Sequence, residues 1–294
     1  MVHILYNTCA GCTHFAKEIE EKIQTLFPDE RLVLSDIKAV DDKRAYISHI
    51  ASADKLVVVG GDGTLNHFVN GIDDVDYPFP IYCFAGGTGN DFINDVFGKS
   101  SDGLVMINDY IRDLPVVFVN GESYRFLNGI GFGIDGYCCE EGDRYKEAHC
   151  GKSPNYTRIA LKGLFGAFKP VRARVTIDGL TEEHEQVWMV PCMNGRYFGG
   201  GMMITPKQDR LNPERYVSVA VVKSKSRLRL LAVFPKIFKG THTKYEKLIK
   251  IHECKTVTVE FDKPTALQID GETVLGVISY TVKSSALIKK EATV

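Results

Sequence analysis

Two glycine-rich runs, Gly60-Gly61-Asp62-Gly63-Thr64 and Ala85-Gly86-Gly87-Thr88-Gly89-Asn90-Asp91, hold the residue types that handle phosphate. Glycines let the backbone turn tightly and bring its N–H groups close to an anion. A helix that starts directly after such a turn adds unpaired donors and the positive end of its dipole. In the first run the helix begins near Leu65, and Thr64 is placed to cap it or to bond a phosphate oxygen. Asp62 is the odd member. A carboxylate repels a phosphate unless a metal ion or a proton stands between them, and that tension points to catalysis or metal binding. A single run of this kind is equally an ordinary strand-to-helix turn. Two of them, each carrying an aspartate and each leaving the carboxyl edge of a parallel sheet, describe a two-sided crevice. Neither run has the lysine and serine or threonine of a P-loop, and the G-x-G-x-x-G dinucleotide pattern is absent from them.

Asp270-Gly271-Glu272, near the end of the chain, adds a further pair of carboxylates. Asp-Gly is also a strong signal for a hairpin turn, and the residues alone favour that reading. Cys9 and Cys12 form C-x-x-C beside an expected strand, either a redox pair or two loop thiols. Cys138 and Cys139 are adjacent, while Cys83, Cys150, Cys192 and Cys254 lie far apart, so no zinc-ligand spacing emerges.

Hydrophobic patterning shows what carries these residues. Up to about residue 113, short apolar runs alternate with helical periodicity: Ile4 to Tyr6, then Phe15, Ile19, Ile23 and Leu26, then Leu32 to Leu34. Leu56 to Val59 follows, then a helix with Leu65, Phe68, Val69 and Ile72, then Ile81 to Ala85. Such βαβ material with unbroken apolar strands predicts an α/β domain built on a parallel sheet. After Pro115 the strands alternate apolar and polar residues, as in Val171, Ala173, Val175 and Ile177 against Arg172, Arg174 and Thr176. Similar strands are expected at 187–190, 216–222 and 256–261, with helical stretches at 155–168 and 227–239. That pattern predicts a mainly antiparallel β domain over 114–283, following an α/β domain over 1–113. Final strands near Ile278 to Val282 and Ala286 to Ile288 are open to either domain, so 284–294 is a candidate to complete the first.

With 294 residues, 44% hydrophobic and 25% charged, the composition is that of a globular protein of one or two domains. A formal charge of −1 gives no ground for a nucleic-acid partner. The expectation is a cytoplasmic protein: there is no basic leader, and no stretch approaches the ~20 apolar residues of a membrane span.

The blocks Gly60 to Asn66, Gly87 to Phe92, Asn194 to Met202 and Asp270 to Glu272 stand in an order that resembles the diacylglycerol kinase catalytic-domain family, which includes sphingosine kinases and small bacterial lipid kinases. It is most similar to the bacterial members. The G-G-D-G run is shared with NAD kinases; the G-T-G-N-D-F block and the late D-G-E are far more specific. The resemblance implies an NAD-kinase- or phosphofructokinase-like nucleotide domain followed by a β-sandwich-like domain. It implies ATP as phosphoryl donor, Mg²⁺, and a lipid hydroxyl as acceptor. Carried over by position, Gly60, Gly61, Asp62, Gly63, Thr64, Leu65, Asn66, Thr88 and Asn90 hold the nucleotide, while Asp62, Asp91 and Glu272 form the catalytic set with Glu272 as base. These tasks suit phosphoryl transfer, which needs charge neutralisation and a group to orient or deprotonate the attacking hydroxyl.

One segment departs from the pattern. Where the family has a D-G-x-L/F-type structural Mg²⁺ site, this chain reads Asp209-Arg210-Leu211-Asn212-Pro213-Glu214-Arg215-Tyr216. Glu214 and Tyr216 are the candidate ligands, with Arg215 bringing positive charge to the ion. The partners implied are a lipid substrate, a transient membrane surface and a second copy of the chain. Lys223 to Leu231, leading into Phe234, Ile237 and Phe238, is the candidate membrane segment, the alternative being a solvated loop before a packed helix. Arg172 and Arg174 serve similarly or form a wet strand face, and Trp188 belongs to the core. Two other functions fit part of the pattern: a soluble-substrate kinase of the NAD-kinase type, and a nucleotide-binding regulatory protein without transfer activity.

Overall fold

Short apolar strands separated by helices build one unit and longer amphipathic strands build another, the chain dividing between Arg112 and Asp113. The computed structural model describes residues 1–7, 13–72, 77–86, 90–98, 103–149 and 154–292. Cys9 and Cys12 therefore lie outside the described residues, as do Thr88 and Cys150.

The first unit runs β1 (Val2–Tyr6), α1 (Thr13–Leu26), β2 (Leu32–Asp36), α2 (Lys43–Ser48), β3 (Lys55–Gly60), α3 (Asp62–Ile72), β4 (Ile81–Ala85), α4 (Asp91–Phe97), β5 (Leu104–Met106) and α5 (Asn108–Ile111). Its sheet has the order β2-β1-β3-β4-β5. The first four strands are parallel. The apolar side chains of β1 and β3 (Val2, Ile4, Val57, Val59) are buried against Ile19 and Ile23 of α1. The expected parallel sheet is thus present, and the short β5, which the apolar pattern did not mark, joins it antiparallel to β4. The seven residues of α4 extend only about 10 Å, so the helix returns the chain part of the way along the sheet. Strand order reverses at β1, which has β2 on one side and β3 on the other. The carboxyl ends of β1 and β3 thus flank a topological switch point, where open α/β sheets bind ligands.

The second unit begins with a hairpin, β6 (Val116–Val119) and β7 (Glu122–Arg125), then β8 (Gly129–Phe132), α6 (Ile134–Ala148) and α7 (Tyr156–Lys162), which runs into a π-helical turn, Gly163–Ala167. There follow β9 (Val171–Ile177), β10 (Leu180–Met189), β11 (Cys192–Met193), β12 (Tyr197–Phe198), β13 (Met202–Met203), β14 (Val217–Lys223) and α8 (Arg227–Ile237). β15 (Ile249–Cys254), β16 (Thr256–Ile269), β17 (Glu272–Lys283) and α9 (Ser285–Ala292) complete it. All pairings are antiparallel, as alternating strands require. The sheet closes on itself because β16 pairs with β9 through its first half and with β8 at its end. Its core holds Phe132 stacked on Phe261 at 3.8 Å between ring centroids. A second core lies between the sheet and α6, α7 and α8, with Trp188 at its centre, 2% exposed and donating its indole N–H to Ser224 O.

Two sequence expectations change here. Ala286 to Ile288 is part of a helix, not a strand: Ser284 O accepts from Leu287 and Ile288 to start a helical turn. Helix α6 gave no periodic signal, because it carries Gly136 and Gly142 and mixes acidic with apolar residues.

Candidate active site

Asp62 does not face a phosphate alone. Its Oδ2 accepts the N–H of Asp91 at 2.8 Å and its Oδ1 the N–H of Phe92 at 3.0 Å. The carboxylate of the first glycine run therefore caps the helix that leaves the second run, which accounts for an anion in that position. The backbones join as well, Gly86 N–H donating to Gly60 O at 3.0 Å. Gly60 cannot be larger: a Cβ there would lie 2.5 Å from the Thr64 side chain. At the switch point Asn7 Nδ2 reaches Thr64 Oγ1 at 3.5 Å.

The remaining residues of these runs divide by burial. Gly61, Gly63 and Thr64 are half-buried at the start of α3, while Leu65 (2% exposed) and Asn66 (8%) face inward. Leu65 therefore supports the loop from behind, and its N–H bonds to Gly61 O. Asn66 Oδ1 accepts from Asn70 Nδ2 at 3.3 Å. Asn90 precedes α4 in the left-handed region at φ +46°, and Asp91 is buried in the first turn.

Glu272 belongs to the second unit, where it is the exposed first residue of β17. Asp270 and Gly271, at φ +47° and +96°, form a two-residue turn between paired Ile269 and Glu272. The hairpin reading of this motif thus holds, and the turn is anchored to an unusual degree. The Asp270 carboxylate accepts N–H groups from Leu127 (2.5 Å), Asn128 (2.8 Å) and Gly129 (3.0 Å). Gly271 N–H donates to Gln268 Oε1 at 2.7 Å, and Gln268 Nε2 donates to Asp135 Oδ2 at 2.9 Å. Beside Glu272, Thr273 Oγ1 donates to Asp143 Oδ2 at 2.6 Å. Burial pushes the Asp135 carboxyl up to about 6, against the Gln268 bond that lowers it.

The Leu127-Asn128 segment is held on its carbonyl side too. Asn194 Nδ2 donates to Leu127 O at 3.0 Å, and the buried Arg210 guanidinium donates to Leu127 O and, at 2.6 Å, to Asn128 Oδ1. Asn194, from the third motif block, is therefore a brace. Sequence reasoning passed over Asp135 and Gln268, and met Arg210 only as a departure from the expected metal segment. A third glycine-rich run, Gly131-Phe132-Gly133-Ile134-Asp135-Gly136, joining β8 to α6, was the available signal. Gly131 is required there, since a Cβ would lie 1.7 Å from Asp135 Oδ2.

The expected metal ligands Glu214 and Tyr216 are not assembled. Glu214 Oε2 pairs with Lys255 Nζ at 2.7 Å, which holds its carboxyl below the usual range. The Tyr216 carbonyl accepts from Gln208 Nε2 at 2.9 Å and Asn212 Nδ2 at 3.1 Å. Arg215 Nη1 donates to Arg210 O at 3.0 Å, and Nη2 lies 3.4 Å from Asp113 Oδ2. Oxygens that a hard cation needs are already bonded to ammonium, amide and guanidinium donors, so this segment does not fit Mg²⁺. Among the described residues no group of three His, Cys, Asp or Glu side chains is arranged to hold a metal.

Comparison with known proteins follows the same division. Residues 1–113 match the model of the diacylglycerol kinase catalytic domain, and residues 128–286 that of the YegS C-terminal NAD kinase beta sandwich-like domain. A relative from Mycobacterium tuberculosis (strain CDC 1551 / Oshkosh), named diacylglycerol kinase, is 27% identical over 215 residues, covering 70% of this chain and 67% of the relative. A crystal structure titled as a diacylglycerol kinase from Bacillus anthracis str. Sterne superposes with a TM-score of 0.66 at 20% identity, over 97% of this chain and 94% of that one; it shares the fold.

Proposed function

Since the chain belongs to the diacylglycerol kinase catalytic-domain family, in the form that carries a YegS-type C-terminal domain, we propose that it is an ATP-dependent lipid kinase. The reaction transfers the γ-phosphoryl group of ATP, bound as its magnesium complex, to the hydroxyl of diacylglycerol or a related lipid alcohol.

The observation that carries the lipid over a soluble acceptor is a cavity within the second unit. Its wall includes Leu164, Trp188, Met202, Leu230, Val233 and Phe234, and Asp135 is the one polar residue in the whole lining. The cavity is small, about 70 Å³, and its lining favours hydrocarbon over a nicotinamide dinucleotide, whose phosphates and ribose hydroxyls would meet only the Asp135 carboxyl.

The roles follow from chemistry and placement. Gly60 to Asn66, with Thr88 and Asn90, hold the nucleotide, Leu65 by supporting the loop from behind. Asp62 fixes the second run against the first through the N–H groups of Asp91 and Phe92, and Asp91 works beside it. Glu272 takes the proton of the attacking hydroxyl, presented by a turn that Asp270 and Gln268 fix. Mg²⁺ supplies charge neutralisation on the transferring phosphate.

Incubation with γ-labelled ATP, Mg²⁺ and detergent-dispersed diacylglycerol, with NAD in a parallel reaction, tests this reading. Label is expected in the lipid phase. Label in NAD alone overturns the lipid assignment, and ATP binding without label in either replaces the kinase with a regulatory protein.

A further inference from the structure

The helix α8 is apolar on two faces. Leu230, Val233 and Ile237 are buried against the sheet, while Leu228, Ala232, Pro235 and Phe238 are exposed. A second apolar stripe exposed on a helix is a face still to be covered. Leu228, in its first turn, is 77% exposed.

A second apolar side chain is fixed to the same place. Arg227 donates from Nη1 to Leu164 O at 2.9 Å and from Nη2 to Phe168 O at 3.1 Å, with its guanidinium 4.8 Å from the Trp188 ring centroid. That clamp ties the start of α8 to the π-helical turn and leaves Phe165, 71% exposed, at the crest of the turn. Phe165 and Leu228 thus stand out from one braced corner of the second unit. The elements behind them, α7 with its turn and α8, also wall the apolar cavity through Ala160, Leu164, Leu230 and Phe234.

Charge decides what covers this corner. Residues 154–170 contain three basic residues and no acidic one, and residues 223–240 contain six and none, in a chain whose net charge is −1. Arg158, Lys162, Lys169, Lys225, Arg229 and Lys239 are exposed, Lys162 lying 3.5 Å from Glu141. The other basic candidates differ: Arg174 pairs with Glu183 and Glu260, and Arg172 with Glu185, across neighbouring strands. Protruding apolar side chains in segments that carry exposed cations and no acidic residue match a bilayer carrying anionic head groups.

We propose that Phe165 and Leu228 insert into the surface of an anionic membrane, with the surrounding lysines and arginines on the head groups, so that α8 and the π turn sit where a lipid leaves the bilayer for the cavity. This deepens the lipid-kinase reading and rests on it for why a bilayer is met. No described helix is long and apolar enough to cross a membrane.

The test is flotation of the full chain with vesicles of phosphatidylglycerol and phosphatidylcholine in equal parts, against vesicles of phosphatidylcholine alone. Wild type is expected to float with the anionic vesicles and to be released by salt. Phe165→Ser and Leu228→Ser should each weaken binding about tenfold, because each removes one inserted apolar side chain. Leu180→Ser is the control, since Leu180 is 78% exposed at the start of β10, where it pairs with Ile177. Equal binding by Phe165→Ser and wild type overturns the proposal. So does an equal loss in Leu180→Ser, or a dimer of the chain that Phe165→Ser dissolves. Phosphorylation of detergent-dispersed diacylglycerol should survive both substitutions. If vesicle binding behaves as described while wild type labels no lipid, the surface stands and the kinase reading falls.

Discussion

The Asp62 carboxylate accepts the backbone N–H of Asp91 at 2.8 Å, so one glycine-rich loop holds the helix that leaves the other. With the bond to Phe92 at 3.0 Å, both carboxylate oxygens are engaged by one helix start. An aspartate that would repel phosphate as an isolated charge is here partly neutralised by two amides and a helix dipole.

Asp62→Ala should therefore cost the first unit about 1–2 kcal/mol, the usual loss of a helix cap, and lower ATP affinity through the displaced second loop. Asp62→Asn, which keeps one acceptor oxygen, should fall between. Urea unfolding followed by ATP titration measures both. An Asp62→Ala protein as stable as wild type but without turnover would assign the residue to the chemistry alone.

Asp270 and Glu272 stand two residues apart and should separate cleanly. Asp270 satisfies three backbone N–H groups. Removing that carboxylate in Asp270→Ala should destabilise the second unit by about 3 kcal/mol or more. Glu272 is exposed on the first residue of its strand. Glu272→Gln should leave stability within about 0.5 kcal/mol while abolishing lipid phosphorylation and sparing ATP binding. Retained turnover in Glu272→Gln removes it as the base.

Asp135 sets a pH dependence with a definite sign. Its folded carboxyl is raised to about 6 from 3.8, so the native state binds this proton more tightly than the unfolded chain. Stability from this group is full below pH ~4 and is lost as pH rises through about 6, by roughly 2–3 kcal/mol. Asp135→Asn should be the more stable protein at pH 7.5, and its stability should change less between pH 4 and 6.5. Parallel slopes for the two proteins in urea unfolding at several pH values would contradict this.

The segment from Asp209 to Tyr216 should hold without metal. Chelation by EDTA is expected to leave the melting temperature unchanged, because Lys255, Gln208, Asn212 and Arg215 already bond the oxygens a cation would take. Arg210→Met, which strips a buried guanidinium from Leu127 O and Asn128 Oδ1, should cost about 2 kcal/mol. A fall in melting temperature on chelation would return Glu214 to the metal.

Local chemistry made much of this readable in one dimension. Unbroken apolar runs such as Leu56 to Val59 can only be covered on both faces, and alternation from Val171 to Ile177 can only be covered on one, so two kinds of sheet followed from the order of residues. Gly60 announced a close approach of strand and helix, since a Cβ there would meet the Thr64 side chain at 2.5 Å. Asp270-Gly271 announced its hairpin because few other residue types permit such a turn.

Long-range pairing was out of reach. That Asp62 reaches Asp91 and Phe92, that Asp270 grips Leu127 to Gly129, and that Gln268 links Gly271 to buried Asp135 are contacts across 29 to 143 residues. No local propensity encodes them, because they exist only once the strands have chosen their neighbours and register. The same holds for Arg210 and Glu214: as residue types they left metal binding open, and only the fold shows which donors lie on the neighbouring oxygens. Phe165 gave no signal in the sequence for a further reason. Its exposure depends on Arg227 clamping a π turn from 59 to 64 residues away, a geometry that only the packed second unit creates.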